Sequence, residues 1–470
     1  MKNYRLAWRN LWRNRRRTMI TAASVFFAVF FALLMRSMQL GTYGYLFKNI
    51  IETYSGYIQI QNEDFWEDRV VDNVMDYTPG LEETLRSDRN VEEIIPRFES
   101  FALASSGSRT KGVMVMGIDP VKESALSDVE RKLVKYTLSA GAIEALLKED
   151  IPDPVKKKLP LFEGNSYSTR GRLSLDLGIK GKDSDRVIEI IEKYSSVDNG
   201  YIKTGEKGAL VGNRLAGYLG LQRGDTIVLL GQGYHGASAA GKYVIEGVVS
   251  LPEPDLESRI VYLPLDVCQD LYAAGGMITS LALQLRDKDD SDVDKTIERL
   301  NEVLDPPLRV LGWREMNETI VQQMEADNSS GMIMIAILYL VIAFGVFGTV
   351  LMMTAERRRE FGVIISIGMQ KTKMASVMVY EMFYIGIIGI AAGVAVALPS
   401  IIYGFYHPIR LSGEVAKMME DYGFEPVMAF KWIDTYFLWQ SFVVAVIVLL
   451  SVLYPVRNIL RLKEINALRA

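Results

Sequence analysis

Residues 331–355 read GMIMIAILYLVIAFGVFGTVLMMTA, twenty-five consecutive positions without Asp, Glu, Lys or Arg. A hydrocarbon core about 30 Å thick is crossed by about 20 helical residues, so this run is long enough to span a membrane. Three further runs share its character. Thr18 to Met35 carries no charge, Met374 to Tyr406 carries only Glu381, and Tyr436 to Val456 carries none. The first is the shortest, and Ser37 to Leu40 extends it if Arg36 snorkels toward the headgroups. Buried helices of soluble proteins are usually shorter and more interrupted, so four membrane spans are predicted, at 18–40, 331–355, 374–406 and 436–456. The first run is too long for a cleaved signal peptide and lacks a small-residue cleavage site.

Whole-chain averages conceal this pattern. The chain has 470 residues, 49% of them hydrophobic and 23% charged, with a formal net charge of −4. Its single cysteine excludes a disulfide scaffold and a cysteine-based metal site. The near balance of charge excludes a wholesale nucleic-acid binder. The distribution is strongly polarised, however. Segments 1–17, 356–373 and 457–470 together hold sixteen basic against three acidic residues, whereas 41–330 holds 33 against 48. Lys and Arg accumulate on the cytoplasmic side of membrane proteins. Both termini and the 356–373 loop are therefore predicted inside, and 41–330 and the short loop 407–435 outside.

The N-terminal segment 1–17 has helical spacing of its own. Tyr4, Trp8, Leu11 and Trp12 fall on one face, and Arg5, Arg9, Arg13 and Arg16 on another. An amphipathic helix in the headgroup layer is predicted, with Trp8, Trp12 and Arg13 at interface depth. A basic nucleic-acid arm fits less well with the aromatic stripe and the span that follows.

The segment 41–330 is long enough for a two-part α+β domain. Strand-like runs occur at Tyr57–Ile60, Gly112–Ile118, Gly208–Val211, Thr226–Leu230, Lys242–Val249, Ile260–Leu263 and Leu281–Leu285. Residues 121–150 and 184–195 carry helical periodicity, which suggests an inserted lobe around 120–200. Gly231-Gln-Gly233-Tyr-His-Gly236 fits G-x-G-x-x-G, the dinucleotide fingerprint. That motif must open a helix, yet here a strand at Lys242 follows at once, so a hairpin loop is predicted instead. His235 and His407 are the only histidines, and no G-x-x-x-x-G-K-[ST] motif occurs. No catalytic or metal-binding residues are assigned.

The basic loop reads ERRREFGVIISIGMQKTK over 356–373. Phe361, Ile364, Ile365 and Met369 follow i, i+3, i+4, i+8, the pattern of a short amphipathic helix ending at Gly368. Such a loop can simply anchor two spans by its charge, or it can dock on a cytosolic partner. Within the third span, Glu381 is an expensive ionisable group. It lies close enough to the inner side to reach Lys373 or the headgroups, which favours an anchoring role over a cargo or proton role. Gly386, Gly389 and Gly393 form a small-residue face for close helix approach, within the bundle or against a second copy. Pro399 is predicted to kink the same span.

These features resemble the permease superfamily of FtsX, MacB and the lipoprotein-releasing LolC/LolE subunits. Its loop pattern E-R-x-x-E-[FIL]-G-[IV]-x-x-x-[IL]-G is matched by Glu356, Arg357, Glu360, Phe361, Gly362, Val363, Ile367 and Gly368. The opening Leu6–Thr18, the run Gly208–Asp225 and the tail from Tyr454-Pro455 to Ala467-Leu468-Arg469 resemble the family's corresponding signatures. The loop from His407 to Pro426 loosely resembles the last periplasmic loop of lipoprotein-releasing permeases. The resemblance implies a bacterial inner-membrane ABC transporter permease with four spans and a periplasmic α+β domain between the first two. It implies that Glu356, Arg357, Arg358, Glu360, Phe361, Gly362, Ile365 and Gly368 couple to an ATPase. It also implies two cytoplasmic ATPase subunits that bind ATP and Mg, so that this chain holds no cofactor and is not itself the enzyme. A second permease copy or paralogue and a periplasmic carrier are further implied partners. Lipoprotein or lipid-like cargo is the leading expectation. The alternatives are a signalling regulator that switches a periplasmic hydrolase, a MacB-like efflux permease, and a membrane-anchored enzyme.

Overall fold

The computed structural model describes residues 3–13, 15–179, 183–411, 413–421 and 425–461. The tail positions Lys463, Glu464 and Ala467 to Arg469 therefore lie outside the described residues, as do Ser412 and Phe424 of the 407–426 loop. The chain separates into two compact units. One comprises 1–45, 319–409 and 427–470, and the other 46–318 and 410–426.

The first unit is helical: α1 (Asn3–Arg13), α2 (Arg15–Ile50), α3 (Glu318–Glu356), α4 (Arg358–Ser366), α5 (Lys371–Tyr406), α6 (Thr435–Ser451) and α7 (Leu453–Leu460). Four helical stretches, Thr18–Ser55, Glu318–Glu356, Lys371–Tyr406 and Thr435–Leu460, are long and apolar enough to cross a membrane. The helices outrun their apolar stretches. Helix α3 starts at Glu318, well ahead of Gly331, because Glu318–Ser330 is rich in helix formers and contains neither Gly nor Pro. Helix α5 passes through Pro399 without ending.

Val25, Val29 and Leu33 of α2 meet Val346 and Val350 of α3, Met382 and Ile385 of α5, and Val444 and Val448 of α6 in one core. The α2–α5 approach is close. A Cβ on Gly389 would lie 2.6 Å from Val25 Cβ, and one on Gly393 would lie 2.8 Å from Val29 Cβ. Gly386 faces Val448 of α6 at 3.2 Å. All three glycines thus seat neighbouring helices of this same chain. Polar ties reinforce the bundle: Arg36 donates to Asn328 Oδ1 (2.6 Å) and Gln39 Oε1 (2.9 Å), and Tyr339 donates to Gln440.

The second unit is built on a nine-stranded sheet of β1 (Ile58–Asn62), β2 (Val91–Ser106), β3 (Arg109–Ile118), β4 (Gly208–Gly212), β5 (Thr226–Gln232), β6 (Ser238–Val249), β7 (Ile260–Pro264), β8 (Ser280–Leu285) and β9 (Leu308–Gly312). Their order is β9-β1-β8-β2-β3-β7-β4-β6-β5. The long β2 also pairs with β5 through Leu103↔Leu230, so the last six strands of that order close on themselves. Pairs β3–β7 and β4–β6 are parallel, and the others antiparallel. Strand β2 is absent from the strands expected by alternation because it is buried on both faces over much of its length.

The Gly231–Gly236 motif forms the β5–β6 hairpin, with Gln232 paired to Ser238 across it and Tyr234–Gly236 as a tight turn. The inserted lobe has a separate core of Leu138, Ile143, Leu146, Leu173, Leu177, Ile188 and Ile191. Helical periodicity over 121–150 is only partly realised. Short turns at Lys122–Ala125 and Val129–Lys132 and a two-residue strand at Tyr136–Thr137 precede the helix Ala140–Lys148. Asp128, at φ +44°, breaks the run, and Ser139 caps the later helix by accepting from Ala142 N–H. Residues 410–426, expected as a plain loop, carry a helix at Glu414–Asp421 and belong to this unit. Arg410 bridges Asp176 and Glu425, and Arg172 also donates to Glu425.

Candidate coupling site

Helix α4 gives the clearest division of labour in the first unit. Arg357 occupies its N-cap position, and Gly368 follows its end at φ +107°. Gly368 N–H donates to Ile365 O (2.9 Å) and Met369 N–H to Ile364 O (3.2 Å). This Schellman arrangement needs a residue without Cβ at that φ. Phe361, Gly362 and Ile365 are buried, and Phe361 joins a core that includes Leu11, Met374, Met378 and Ile459. Val363 and Ile364 lie outward, and Ile367 is 82% exposed. The expected apolar face, Phe361–Ile364–Ile365–Met369, is therefore split. Phe361 and Ile365 anchor the helix, while Ile364, with Val363 and Ile367, faces away from the bundle. Glu356, Arg358 and Glu360 are exposed.

Arg357 turns inward. Its Nη1 donates to Glu381 Oε2 at 2.7 Å, and its guanidinium lies 5.1 Å from the Phe361 ring centroid. The side chains of the pair are only 8% and 3% exposed. Glu381 Oε1 accepts from Asn10 Nδ2 at 2.7 Å. Glu360 Oε2 accepts from Arg13 Nη2 at 2.7 Å and lies 3.5 Å from Arg357 Nε. The partners of Glu381 are thus Arg357 and Asn10, rather than Lys373 or lipid headgroups. A carboxylate in an apolar helix needs a cation and a donor in place of water, and both come from neighbouring elements. One network joins α1, α4 and α5.

Helix α1 docks on α5. Ala7 and Leu11 are buried, and Asn3 donates to Ser376 at 3.4 Å. Trp8 packs edge-on against Tyr384 with ring centroids 5.4 Å apart, and Trp12 is exposed. The docking signal is present in the sequence. Asn3, Ala7, Asn10 and Leu11 follow i, i+4, i+7, i+8, a stripe of small and amide side chains suited to close approach, but the larger aromatic residues beside it dominate the pattern. Arg13 remains exposed while bonded to Glu360. No group of three or more His, Cys, Asp or Glu able to hold a metal occurs among the described residues.

Comparison with known proteins places this geometry in context. Residues 332–463, which include α4, its preceding Arg357 and Glu381, match the FtsX-like permease C-terminal family. Two curated relatives are lipoprotein-releasing system transmembrane proteins LolC from two strains of Xylella fastidiosa. One is 26% identical over 231 residues, covering 46% of this chain and 53% of the relative. The other is 26% identical over 214 residues, covering 43% and 49%. The chain thus spans about half the length of these curated relatives. Among solved structures, the periplasmic region of MacB from Actinobacillus actinomycetemcomitans aligns at TM-score 0.30 and 13% identity, covering 59% of this chain and 97% of that one. The extracellular domain of the Gram-positive ABC-type transporter YknZ aligns at TM-score 0.26 and 10% identity, covering 50% and 90%.

Proposed function

We propose that this chain, a permease of the FtsX/MacB/LolC superfamily, is the membrane subunit of an ABC transporter whose ATPase is a separate protein. In this reading both termini and α4 face the cytoplasm of a bacterium. The four spans cross the inner membrane, and the 46–318 unit works in the periplasm. Two ATPase subunits bind ATP and Mg and close beneath α4, and a second permease copy or paralogue completes the assembly. The outward residues Val363, Ile364 and Ile367 would meet an apolar groove of the ATPase. Force on that face passes inward through Phe361 and Ile365, and through the Arg357–Glu381 pair to α5 and α1. Cargo is lipoprotein or lipid-like, in keeping with the named function of the LolC relatives, and a periplasmic carrier receives it.

The observation that carries this proposal is the two-sided construction of α4. It has an ion-locked, buried inner face and an apolar outer face with no cover from the described residues. Such a face on an otherwise anchored helix suits a protein partner. The test is co-purification with candidate ABC ATPases of the source organism, followed by measurement of ATP hydrolysis in the complex. Ile367→Glu leaves the permease folded and membrane-inserted, because the side chain touches no core. It is expected to reduce ATPase capture at least tenfold and to abolish permease-dependent hydrolysis. Unchanged capture and hydrolysis in this variant would sink the proposal.

A further inference from the structure

The second unit contains a cleft of about 350 Å³ that takes no part in the coupling described above. One wall is the π-helical turn Ile51–Ser55, which follows the first apolar run closely in sequence. The facing wall is the irregular stretch 125–132, with Asp128 in the left-handed region at φ +44°. π-turns and left-handed non-glycine residues are costly and concentrate where a site needs a particular geometry. The two walls are joined from behind by an ion pair whose side chains are both fully buried, Arg97 and Glu123. Arg97 also donates to Tyr54 O of the π-turn, while Glu123 accepts from Ser127 of the opposite wall. One buried ion pair thus ties the two walls of the cleft together.

Its charges do not cancel. Asp128 pairs with Arg131 at 3.0 Å, and Glu52 with Lys48 at 3.9 Å, so both acids on its walls are already matched. Lys132 and Lys288 remain. Lys132 Nζ donates to Thr53 Oγ1 at 3.2 Å, and no carboxylate lies within 4 Å of it among the described residues. Lys288 lies over the Tyr57 ring at 5.8 Å. Burial lowers the Lys132 ammonium to about 8, outweighing the pull of Glu123, Asp128 and Glu52 toward the charged form. Ile51, Leu126 and Pro252 supply apolar surface alongside.

We propose that this cleft binds an anionic, oxygen-rich headgroup, a phosphate ester, with Lys132 as its principal cation and Lys288 at its rim. The space exceeds that of a bare phosphate several-fold and falls in the range of small-ligand pockets. Its apolar lining suits the glycerol and first methylenes of an amphiphile. The shared chemistry is a phosphate group, from a lipid or from a soluble ester. The inference rests on the second unit alone and is independent of ATPase coupling.

The experiment uses the full chain in neutral detergent, titrated in parallel with short-chain phosphatidylglycerol, glycerol phosphate and inorganic phosphate by calorimetry. Saturable binding of phosphatidylglycerol that weakens at least tenfold in Lys132→Met supports a lipid headgroup site. Equal binding of glycerol phosphate with the same loss supports a soluble ester as its source. Absence of saturable binding by any probe, or binding unchanged by Lys132→Met, overturns the proposal. A second measurement needs no core variant. In reductively ¹³C-methylated wild-type protein, the Lys132 titration midpoint should rise when phosphatidylglycerol or glycerol phosphate is added. A midpoint that stays put at saturating concentrations of both also overturns it.

Discussion

Replacing Glu381 with Gln removes the anion that Arg357 faces while keeping the side chain's size. The pair is buried, with side chains 8% and 3% exposed, and Nη1 lies 2.7 Å from Oε2. Breaking a buried ion pair by removing one partner costs about 3–5 kcal/mol, because the remaining charge is left without water or a counterion. Glu360, 3.5 Å from Arg357 Nε, recovers part of this but is itself shared with Arg13. At roughly 2–4 °C per kcal/mol for a domain of this size class, the unfolding midpoint should fall by about 6–20 °C. Tryptophan fluorescence in detergent reads this out directly, since Trp8 lies 5.4 Å from Tyr384 on α5 and reports release of α1. The double variant Arg357→Met/Glu381→Met removes both charges and should recover most of the midpoint. If coupling needs the ion pair and not merely packing, the double variant regains stability without regaining permease-dependent ATP hydrolysis. Single and double variants within a degree of wild type would refute the buried pair. A double variant costing the sum of its parts would refute the energetic coupling between the two residues.

Other expectations follow from local geometry. A Cβ at position 389 would sit 2.6 Å from Val25 Cβ and 2.9 Å from the Ala22 carbonyl oxygen, so Gly389→Leu must displace one of them. It should lower the thermal midpoint and reduce membrane yield. Gly345→Ala on the open face of α3, where a Cβ meets nothing within 4 Å, should leave both unchanged. The buried Glu257 carboxyl is raised to about 7 by burial, which outweighs the Leu251 N–H at 2.9 Å and Arg214 at 3.3 Å. The native state therefore retains a proton that the unfolded chain releases near 4.5, so this contribution to stability is complete below about 4.5 and is lost as pH rises through about 7. Thermal midpoints measured from pH 4.5 to 7.5 should show that slope in wild type, and a shallower one in Glu257→Gln.

Much of this organisation is legible without coordinates. Desolvating a charge in hydrocarbon is so costly that the charge-free runs mark four apolar helices by composition alone. Alternation and turn chemistry likewise mark β1, β3, β4, β5, β6, β7 and β8, and identify Gly231–Gly236 as a hairpin rather than a nucleotide loop. The buried β2 has no alternation to read, and the 121–150 stretch follows helical spacing until the left-handed Asp128 interrupts it. Spacing also fails to tell which neighbour a face will meet. Periodicity groups Phe361, Ile364 and Ile365 on one side of α4, yet packing divides them between core and surface. The glycines of α5 read equally well as a seam for another subunit, and Val25, Val29 and Val448 of the same chain fill that seam. Glu381 marks the boundary most plainly. Its place within an apolar run already requires that it be compensated, because a charge in such a helix is too costly to leave bare. That Arg357 and Asn10, far from it in the chain, provide the compensation follows only from how three helices pack.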